Sequence, residues 1–230
     1  MRSILDAFIG AVAPLACALC GDALPAVATY PLCERCAAGL PRVREPRCPR
    51  CGKGLVSEEG LCMRCRRSNY DFDSAYPLFP YAAGAKELVQ AYKLVGRRSL
   101  GRYFARELEA AYRGRWDGLP IVPVPPSPGK LRKKGWDQVA AIAAELRRRG
   151  LPVRGLLRRA PGGAAQKSLD YEGRAANLRG RMILRPGLRP GTACVLLDDV
   201  MTTGATLSEC ARALKAGGAS AVGCLVIAAD

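Results

Sequence analysis

The chain of 230 residues contains no histidine. This absence excludes the Ser-His-Asp and Cys-His forms of nucleophilic catalysis, and it excludes Cys₂His₂ zinc sites. The sequence also lacks the patterns G-x-x-x-x-G-K-[ST] and G-x-G-x-x-G, so it offers neither a P-loop nor a dinucleotide-binding fingerprint. No apolar run approaches the roughly 20 residues of a membrane span. Any chemistry must therefore depend on carboxylates, Arg and Lys side chains, the backbone and bound metal.

Acidic residues are few: 20 Asp+Glu stand against 36 Lys+Arg, which gives a net charge of +16. Residues 1–70 hold 10 basic and 6 acidic residues, whereas residues 71–230 hold 26 and 14. An excess of this size favours a polyanionic partner, either nucleic acid or a phosphorylated small molecule. The alternative is an Arg-rich surface that is only solvated.

The first residues have the apolar character of a secretion signal, but Asp6 interrupts the apolar part. Apolar residues fall instead at helical spacing: Ile4, Leu5, Phe8, Ile9 and Val12. This spacing predicts a short amphipathic helix at the start of a cytoplasmic protein.

Eight of the eleven cysteines form four C-x-x-C pairs within fewer than fifty residues: Cys17 and Cys20, Cys33 and Cys36, Cys48 and Cys51, Cys62 and Cys65. A two-residue gap lets both sulfurs of a tight turn face one ion, and two such turns complete a tetrahedral Cys₄ site. A reducing cytosol disfavours disulfides, and a redox motif would need one pair beside a βαβ unit. The pattern therefore predicts two structural Zn²⁺ ions.

The pairing of these turns has two solutions. Sequential sites would use Cys17, Cys20, Cys33 and Cys36 for one ion and Cys48, Cys51, Cys62 and Cys65 for the other, with spacers of twelve and ten residues that suit zinc ribbons. An interleaved arrangement would join the two C-x-x-C-G turns at one ion. The remaining Cys194, Cys210 and Cys224 lie in apolar contexts, which predicts core positions.

A pair of acids follows a short apolar run at 194–197, which is typical of a strand buried on both faces. Ligands bind at the carboxyl edge of such strands, where Asp198 and Asp199 precede a Thr- and Gly-rich turn. Thr206 is predicted to cap the next helix, so backbone N–H groups, hydroxyls and a helix N-terminus would surround a phosphate. The alternative is a turn and cap without a ligand.

Strands are predicted at 72–81, 119–124, 156–159 and 221–228, and helices at 85–94, 99–112 and from Trp136 and Asp137 to Arg149. Strands that alternate with helices imply an α/β fold with a parallel sheet. The Gly- and Ala-rich stretch near 160–180 is long enough to be either a functional loop or disordered.

The segment "VLLDDVMTTGAT" resembles the signature by which type I phosphoribosyltransferases bind 5-phosphoribosyl-1-pyrophosphate (PRPP). With the C-x-x-C pairs, "VPVP", "RKKGWDQ" and the later Gln166, Leu169, Arg174 and Asn177, nearly the whole chain resembles the ComF family of bacterial competence proteins. It departs from the family at Trp136-Asp137, where Phe-Asn is usual. The resemblance implies an N-terminal helix and double zinc ribbon over 1–70. It further implies a type I phosphoribosyltransferase-like parallel sheet flanked by helices over 71–230.

The resemblance also implies roles for particular residues. Asp198 and Asp199 would hold the ribose hydroxyls, with Mg²⁺ nearby. The loop after "VPVP" would receive the pyrophosphate, and Arg132 and Lys133 would help to bind it. The 5′-phosphate of PRPP or of a nucleoside 5′-phosphate would lie on Thr202, Thr203, Gly204, Ala205 and Thr206. Such a site needs no histidine, because metal, basic residues and carboxylates stabilise the charges that develop.

Two functions remain open at this point. One is PRPP-dependent transfer to an unknown nucleobase or amine. The other, which we favour, is a role in DNA uptake and natural transformation. In this role the protein keeps a PRPP pocket and handles single-stranded DNA, and a DNA-uptake helicase is a candidate partner. For the DNA, Arg132, Lys133 and Lys134 would supply charge, and Tyr103 and Trp136 would supply stacking surfaces, unless the basic cluster is only a solvated face.

Overall fold

The computed structural model describes residues 15–160 and 180–230. The predicted N-terminal helix therefore lies outside the described residues, as does most of the predicted loop near 160–180 with its Gln166, Leu169, Arg174 and Asn177. Within the described ranges, no helix combines the length and the apolar character needed to cross a membrane.

Two short ribbons repeat one pattern before the larger domain begins. In each, an isolated antiparallel bridge closes a turn that carries the first C-x-x-C pair: Ala16 with Ala23, and Arg47 with Gly54. A one-turn helix then follows the third cysteine, α1 at Glu34–Ala38 and α2 at Met63–Arg67. Each helix contains the fourth cysteine, so its fold positions one zinc ligand.

The larger domain is built on a four-stranded parallel sheet in the order β1-β6-β5-β2. Its strands are β1 (Ser74–Pro80), β2 (Ile121–Pro123), β5 (Ala193–Met201) and β6 (Ala221–Ala229). A single parallel bridge from Ile121 to Val153 continues the sheet beyond β2. The predicted parallel α/β fold is confirmed. An antiparallel pair, β3 (Leu157–Arg159) with β4 (Met182–Leu184), lies apart from this sheet, and its pairing was not predicted.

Helices cover both faces of the sheet: α3 (Ala83–Lys93), α4 (Leu100–Trp116), α6 (Gln138–Arg148) and α7 (Ala205–Ala216). A further short helix, α5 (Pro128–Lys134), lies in the connection between β2 and α6. Alternate residues of β5 enter different cores. Val195 and Leu197 pack with α3, α4 and α6, while Cys194 and Leu196 pack with α7. Because both faces of β5 are buried at 194–197, this part of the strand is a continuous apolar run.

The two ribbons join different cores. Leu24 and Leu32 of the first ribbon pack into the core that contains α3 and α4. The cysteines of the second ribbon, with Leu55, pack into the core that contains α7. The predicted core positions of Cys194, Cys210 and Cys224 are confirmed in that same core. The second ribbon is thus the one that adjoins the helix following the acid pair.

Candidate functional site

A cavity of about 310 Å³ lies where the connections of the sheet diverge. Strand β5 leads through α7 to β6 on one side, whereas β2 leads through α6 to the bridge at Val153 on the other. In open parallel sheets, such a divergence leaves a crevice at the carboxyl ends of the strands, and ligands bind there. The acid pair of β5 and the loop that follows β2 form two walls of this cavity.

Asp198 and Asp199 both line the cavity, but they lie within β5 and not after it. The prediction that the strand ends at the apolar run is wrong, because Asp198 pairs with Val226 and Met201 pairs with Ala229. Each carboxylate accepts a hydrogen bond from the next main-chain N–H, at 2.9 Å for Asp198 and 2.6 Å for Asp199. The strand therefore holds both acids rigidly.

Lys93, the last residue of α3, reaches into the cavity and was missed by the sequence analysis. Its Nζ lies 2.8 Å from Oδ2 of Asp199, and the two side chains are 26% and 13% exposed. A partly buried cation on one of the two acids offsets the cost of holding several carboxylates in one cavity.

Residues 202–204 connect β5 to α7, and together with the first two residues of the helix they are called here the 202–206 loop. Gly204 caps α7 with φ at +76°, and the helix begins at Ala205. The prediction that Thr206 caps the helix is wrong, because a left-handed glycine lets the first turn form two residues earlier. Thr202 and Thr206 line the cavity, while Thr203 and Ala205 line a neighbouring one on the other side of the loop. The loop thus separates two cavities.

The opposite wall of the cavity comes from the main chain after β2. Arg159 of β3 holds this segment, because its Nε donates to the carbonyls of Pro125 at 3.2 Å and Pro126 at 2.9 Å. Burial lowers the pKa of Arg159, although the charge of Asp198 opposes the shift. Arg159 lines the cavity and was not identified from the sequence. It adds a second cation opposite the acid pair.

Asp137 lines the same cavity and caps α6, as the predicted helix start at this position requires. Its Oδ1 accepts from the N–H groups of Val139 at 2.9 Å and Ala140 at 3.1 Å. Burial raises the pKa of Asp137, and the negative charge of Asp199 raises it further. Asp137 is therefore held less acidic than an ordinary aspartate.

The predicted basic and aromatic residues are placed differently from one another. Trp136 lines the cavity, and Arg98 covers its ring at 5.3 Å. Arg132 is exposed on α5, and the side chains of Lys133 and Lys134 lie outside the described part. Tyr103 is only 1% exposed, so the prediction that it offers a stacking surface is wrong.

The eight paired cysteines form two clusters with sequential pairing: Cys17, Cys20, Cys33 and Cys36 in the first, and Cys48, Cys51, Cys62 and Cys65 in the second. All sulfurs of a cluster lie within 4.8 Å of one another. The Sγ atoms of Cys20 and Cys33 are 3.8 Å apart, and those of Cys51 and Cys62 are 3.6 Å apart. Tetrahedral zinc with Zn–S bonds of about 2.3 Å requires sulfur separations of about 3.8 Å, so both clusters fit the ion.

One thiol of each cluster is disposed to ionise first. Burial opposes ionisation of Cys17, but main-chain N–H groups, led by that of Cys33, outweigh it and lower its pKa to about 6. In the second cluster burial likewise opposes ionisation of Cys48, and the N–H groups of Cys51 and Cys62 help to lower its pKa to about 7. Each site thus supplies a thiolate near neutral pH, which is the form that binds zinc.

Comparison with protein-family models supports both parts of this architecture. Residues 8–66 match the double zinc ribbon domain, and residues 158–230 match the phosphoribosyl transferase domain. Fold and site together therefore define a double zinc ribbon followed by a phosphoribosyltransferase-type parallel sheet flanked by helices.

Curated relatives match most of the chain. Competence protein ComFC of Streptococcus pneumoniae is 25% identical over 90% of this chain and 96% of its own length. Competence protein F of Haemophilus influenzae is 26% identical, over 82% and 86%. The DNA utilization protein YhgH of Escherichia coli K12 is 28% identical, over 91% and 94%. The chain is thus a homologue of the ComF and YhgH proteins over most of its length.

Among solved structures, the allosteric regulatory enzyme of purine biosynthesis superposes with a TM-score of 0.40 and 17% identity. The superposition covers 60% of this chain and 30% of that one.

Proposed function

We propose that the cavity between β5 and β2 binds PRPP or a nucleoside 5′-phosphate together with Mg²⁺, in a cytoplasmic protein of DNA uptake. One observation carries the proposal. Asp198 and Asp199 of β5, together with Thr202 and Thr206 of the 202–206 loop, line one cavity at the carboxyl edge of a parallel sheet. The competence and DNA-utilisation relatives support the biological setting.

In this proposal the 5′-phosphate lies on the 202–206 loop, where main-chain N–H groups and the positive end of the α7 dipole favour an anion. Asp198 and Asp199 accept hydrogen bonds from the ribose hydroxyls. Lys93 and Arg159 supply positive charge near the pyrophosphate.

The acid pair also suits Mg²⁺, which prefers oxygen ligands and takes one or two carboxylates together with substrate phosphates. Among the described residues, the carboxylates do not form a closed cage of three or more ligands. Asp198 and Asp199 would therefore hold the ion jointly with PRPP. Bound Mg²⁺ would neutralise charge on the pyrophosphate.

Calorimetric titration with PRPP and Mg²⁺ tests this proposal. Asp199→Asn should weaken binding by about 10- to 150-fold, because it removes a hydrogen-bonding charge of the kind that contributes about 1.5–3 kcal/mol. Asp117→Asn is the matched control, since Asp117 is an exposed aspartate beyond the end of α4. Equal affinity of the wild type and Asp199→Asn would place the ligand elsewhere.

PRPP-dependent transfer is the second candidate function, and the two cations that line the cavity, Lys93 and Arg159, favour it. In this reaction the bond from ribose C1 to the pyrophosphate oxygen breaks, and pyrophosphate leaves with the electron pair. A nitrogen of the acceptor bonds to C1 and loses its proton. Lys93 and Arg159 would stabilise the leaving group. Pyrophosphate release from PRPP, measured with and without single-stranded DNA or candidate bases, distinguishes transfer from binding alone.

For DNA, we propose that a single strand crosses the mouth of the cavity. Arg97 and Arg98 are exposed between α3 and α4, and Arg98 covers the half-buried ring of Trp136, which lines the cavity. Charge beside an aromatic ring suits both the phosphates and the bases of single-stranded nucleic acid. Arg132, which is exposed on α5, would extend this surface.

Fluorescence anisotropy with a labelled oligonucleotide across a salt series tests the DNA site. Replacing Arg97 and Arg98 by Gln should reduce the slope of log K against log salt by about 0.7 for each lost phosphate contact. The control replaces Arg154 and Arg189, which are exposed, do not line the cavity and carry the same charge. An equal change of slope in both variants would show that the DNA affinity comes from general surface charge and not from this site.

A further inference from the structure

The second zinc ribbon contacts the 202–206 loop from the side opposite the cavity. Helix α2 of this ribbon begins after Cys62 and contains Cys65, and Arg64 lies between these two zinc ligands. Nη1 of Arg64 donates to the carbonyl of Thr202 at 2.7 Å and to that of Asp230 at 3.0 Å. One guanidinium thus joins the zinc-bearing helix to the start of the loop and to the chain beyond β6.

The segment after α2 holds the other end of the loop. The ring of Tyr70 stacks on that of Phe72 at 4.7 Å, and Phe72 is only 1% exposed. A Cβ at Gly204 would lie 2.9 Å from Cε1 of Tyr70, so the ring closely covers this glycine. The N–H of Asp71 donates to Ser208 Oγ at 2.9 Å, and Ser208 Oγ donates to Asp71 Oδ2 at 2.6 Å. The loop is therefore held at both ends by residues from the ribbon side.

Such support matters because the loop makes few polar contacts of its own. Within it, the hydrogen bond from the N–H of Ala205 to Oγ1 of Thr203 is long, at 3.3 Å. A loop that binds phosphate through main-chain N–H groups binds tightly only when those groups are oriented in advance. Among the described residues, the first ribbon makes no hydrogen bond to this loop. Of the two ribbons, the second is therefore the one that supports the loop.

We propose that Arg64 is a positioning residue through which the second zinc site orients the 202–206 loop. Zinc bound by Cys48, Cys51, Cys62 and Cys65 fixes α2, α2 fixes the guanidinium of Arg64, and Arg64 fixes the carbonyl of Thr202. Affinity for a 5′-phosphate then depends on zinc in the second ribbon. The dependence of affinity rests on the proposed function of the cavity, whereas the order of the loop does not.

The test compares two arginines of the same helix. Arg66 also donates to main-chain carbonyls, those of Leu61 and Glu59, both at 2.9 Å, but these lie inside the ribbon. Replacing Arg64 by Met should increase amide hydrogen exchange over 202–208 and weaken PRPP binding by about fivefold, as expected for about 1 kcal/mol of lost hydrogen bonding. Arg66→Met should change neither quantity. Arg64→Lys should restore most of both, because an ammonium group also donates to carbonyls.

The zinc dependence has its own measurement. Cys65→Ser should lower the zinc content of the purified chain by one ion and increase exchange over 202–208 at least as much as Arg64→Met does. Loop exchange that is unchanged in Arg64→Met, or equal in Arg64→Met and Arg66→Met, would overturn the positioning role. Unchanged exchange in Cys65→Ser after loss of its zinc would overturn the link to the metal. Failure of the wild type to bind PRPP would refute the proposed function, and the exchange comparison would still decide this inference.

Discussion

Asp137 has two opposing effects on the stability of the folded state, and two substitutions can separate them. It caps α6 through two main-chain N–H groups, which stabilises the helix. It is also a half-buried charge near Asp199, which destabilises the folded state. Asp137→Ala removes both effects, whereas Asp137→Asn keeps the cap and removes only the charge.

Loss of an N-cap to Ala costs about 1 kcal/mol, which corresponds to a Tm lower by about 2–4 °C in a chain of this size. Asn caps as well as Asp does, so Asp137→Asn should match or exceed the Tm of the wild type at pH 7. The sign of the pH dependence follows from the raised pKa. The folded state binds the proton more tightly than the unfolded state, so stability of the wild type falls as pH rises from the ordinary value of 3.8 through the raised one.

Thermal unfolding of the three proteins in zinc-containing buffer at about pH 4.5, closer to the ordinary value of 3.8, and at pH 7 measures these effects. Acid affects the zinc ligands of all three equally, so the differences between proteins isolate position 137. The advantage of Asp137→Asn over the wild type should shrink at the lower pH, while the deficit of Asp137→Ala relative to Asp137→Asn should persist. A Tm for Asp137→Asn as low as that of Asp137→Ala would refute the capping role, and a pH-independent advantage would refute the raised pKa of Asp137.

Two further predictions concern the zinc ribbons and the 202–206 loop. A chelator should remove zinc in two phases, first from the cluster that includes the exposed Cys20 and later from the second cluster, whose four cysteines are buried. Elemental analysis of the protein over time measures the zinc that remains. Loss of both ions in a single phase would contradict the prediction. Gly204→Ala should lower the Tm by more than Gly60→Ala. Both glycines have a positive φ, +76° for Gly204 and +70° for Gly60, so the backbone strain of an alanine is similar at the two positions. Of the two, only Gly204 has a neighbour that an added Cβ would meet. Equal losses in the two alanine variants would show that contact with Tyr70 has no energetic weight.

Much of the fold could be predicted because its signals are local. The helical spacing in α3 places Leu88, Val89 and Tyr92 in the core, and all three are fully buried. The last strand was predicted at 221–228 and is observed at Ala221–Ala229. Four C-x-x-C pairs identify the zinc ligands because spacing alone brings each pair of sulfurs together.

The parts that could not be predicted depend on contacts between distant elements. Lys93 ends a helix, where a lysine is ordinarily explained by the helix dipole, and only the packing of α3 against the sheet brings it to Asp199. Arg159 similarly lies in a short strand whose contact with the loop after β2 has no sequence signal. Tyr103 is different, because the spacing of Leu100, Phe104 and Leu108 around it does predict its burial.

The order of the strands also has a consequence for synthesis. Within the described part of the chain, β1 pairs only with β6, and some 140 residues lie between them. At typical rates of translation, β1 waits on the order of 10 s for its partner to be made. Until β6 is made, β1 lacks the strand with which it pairs, although its apolar residues Leu78 and Phe79 share a core with the earlier helices α3 and α4. Both zinc ribbons precede β1 and can bind metal during translation, whereas the cavity is among the last parts of the protein to form.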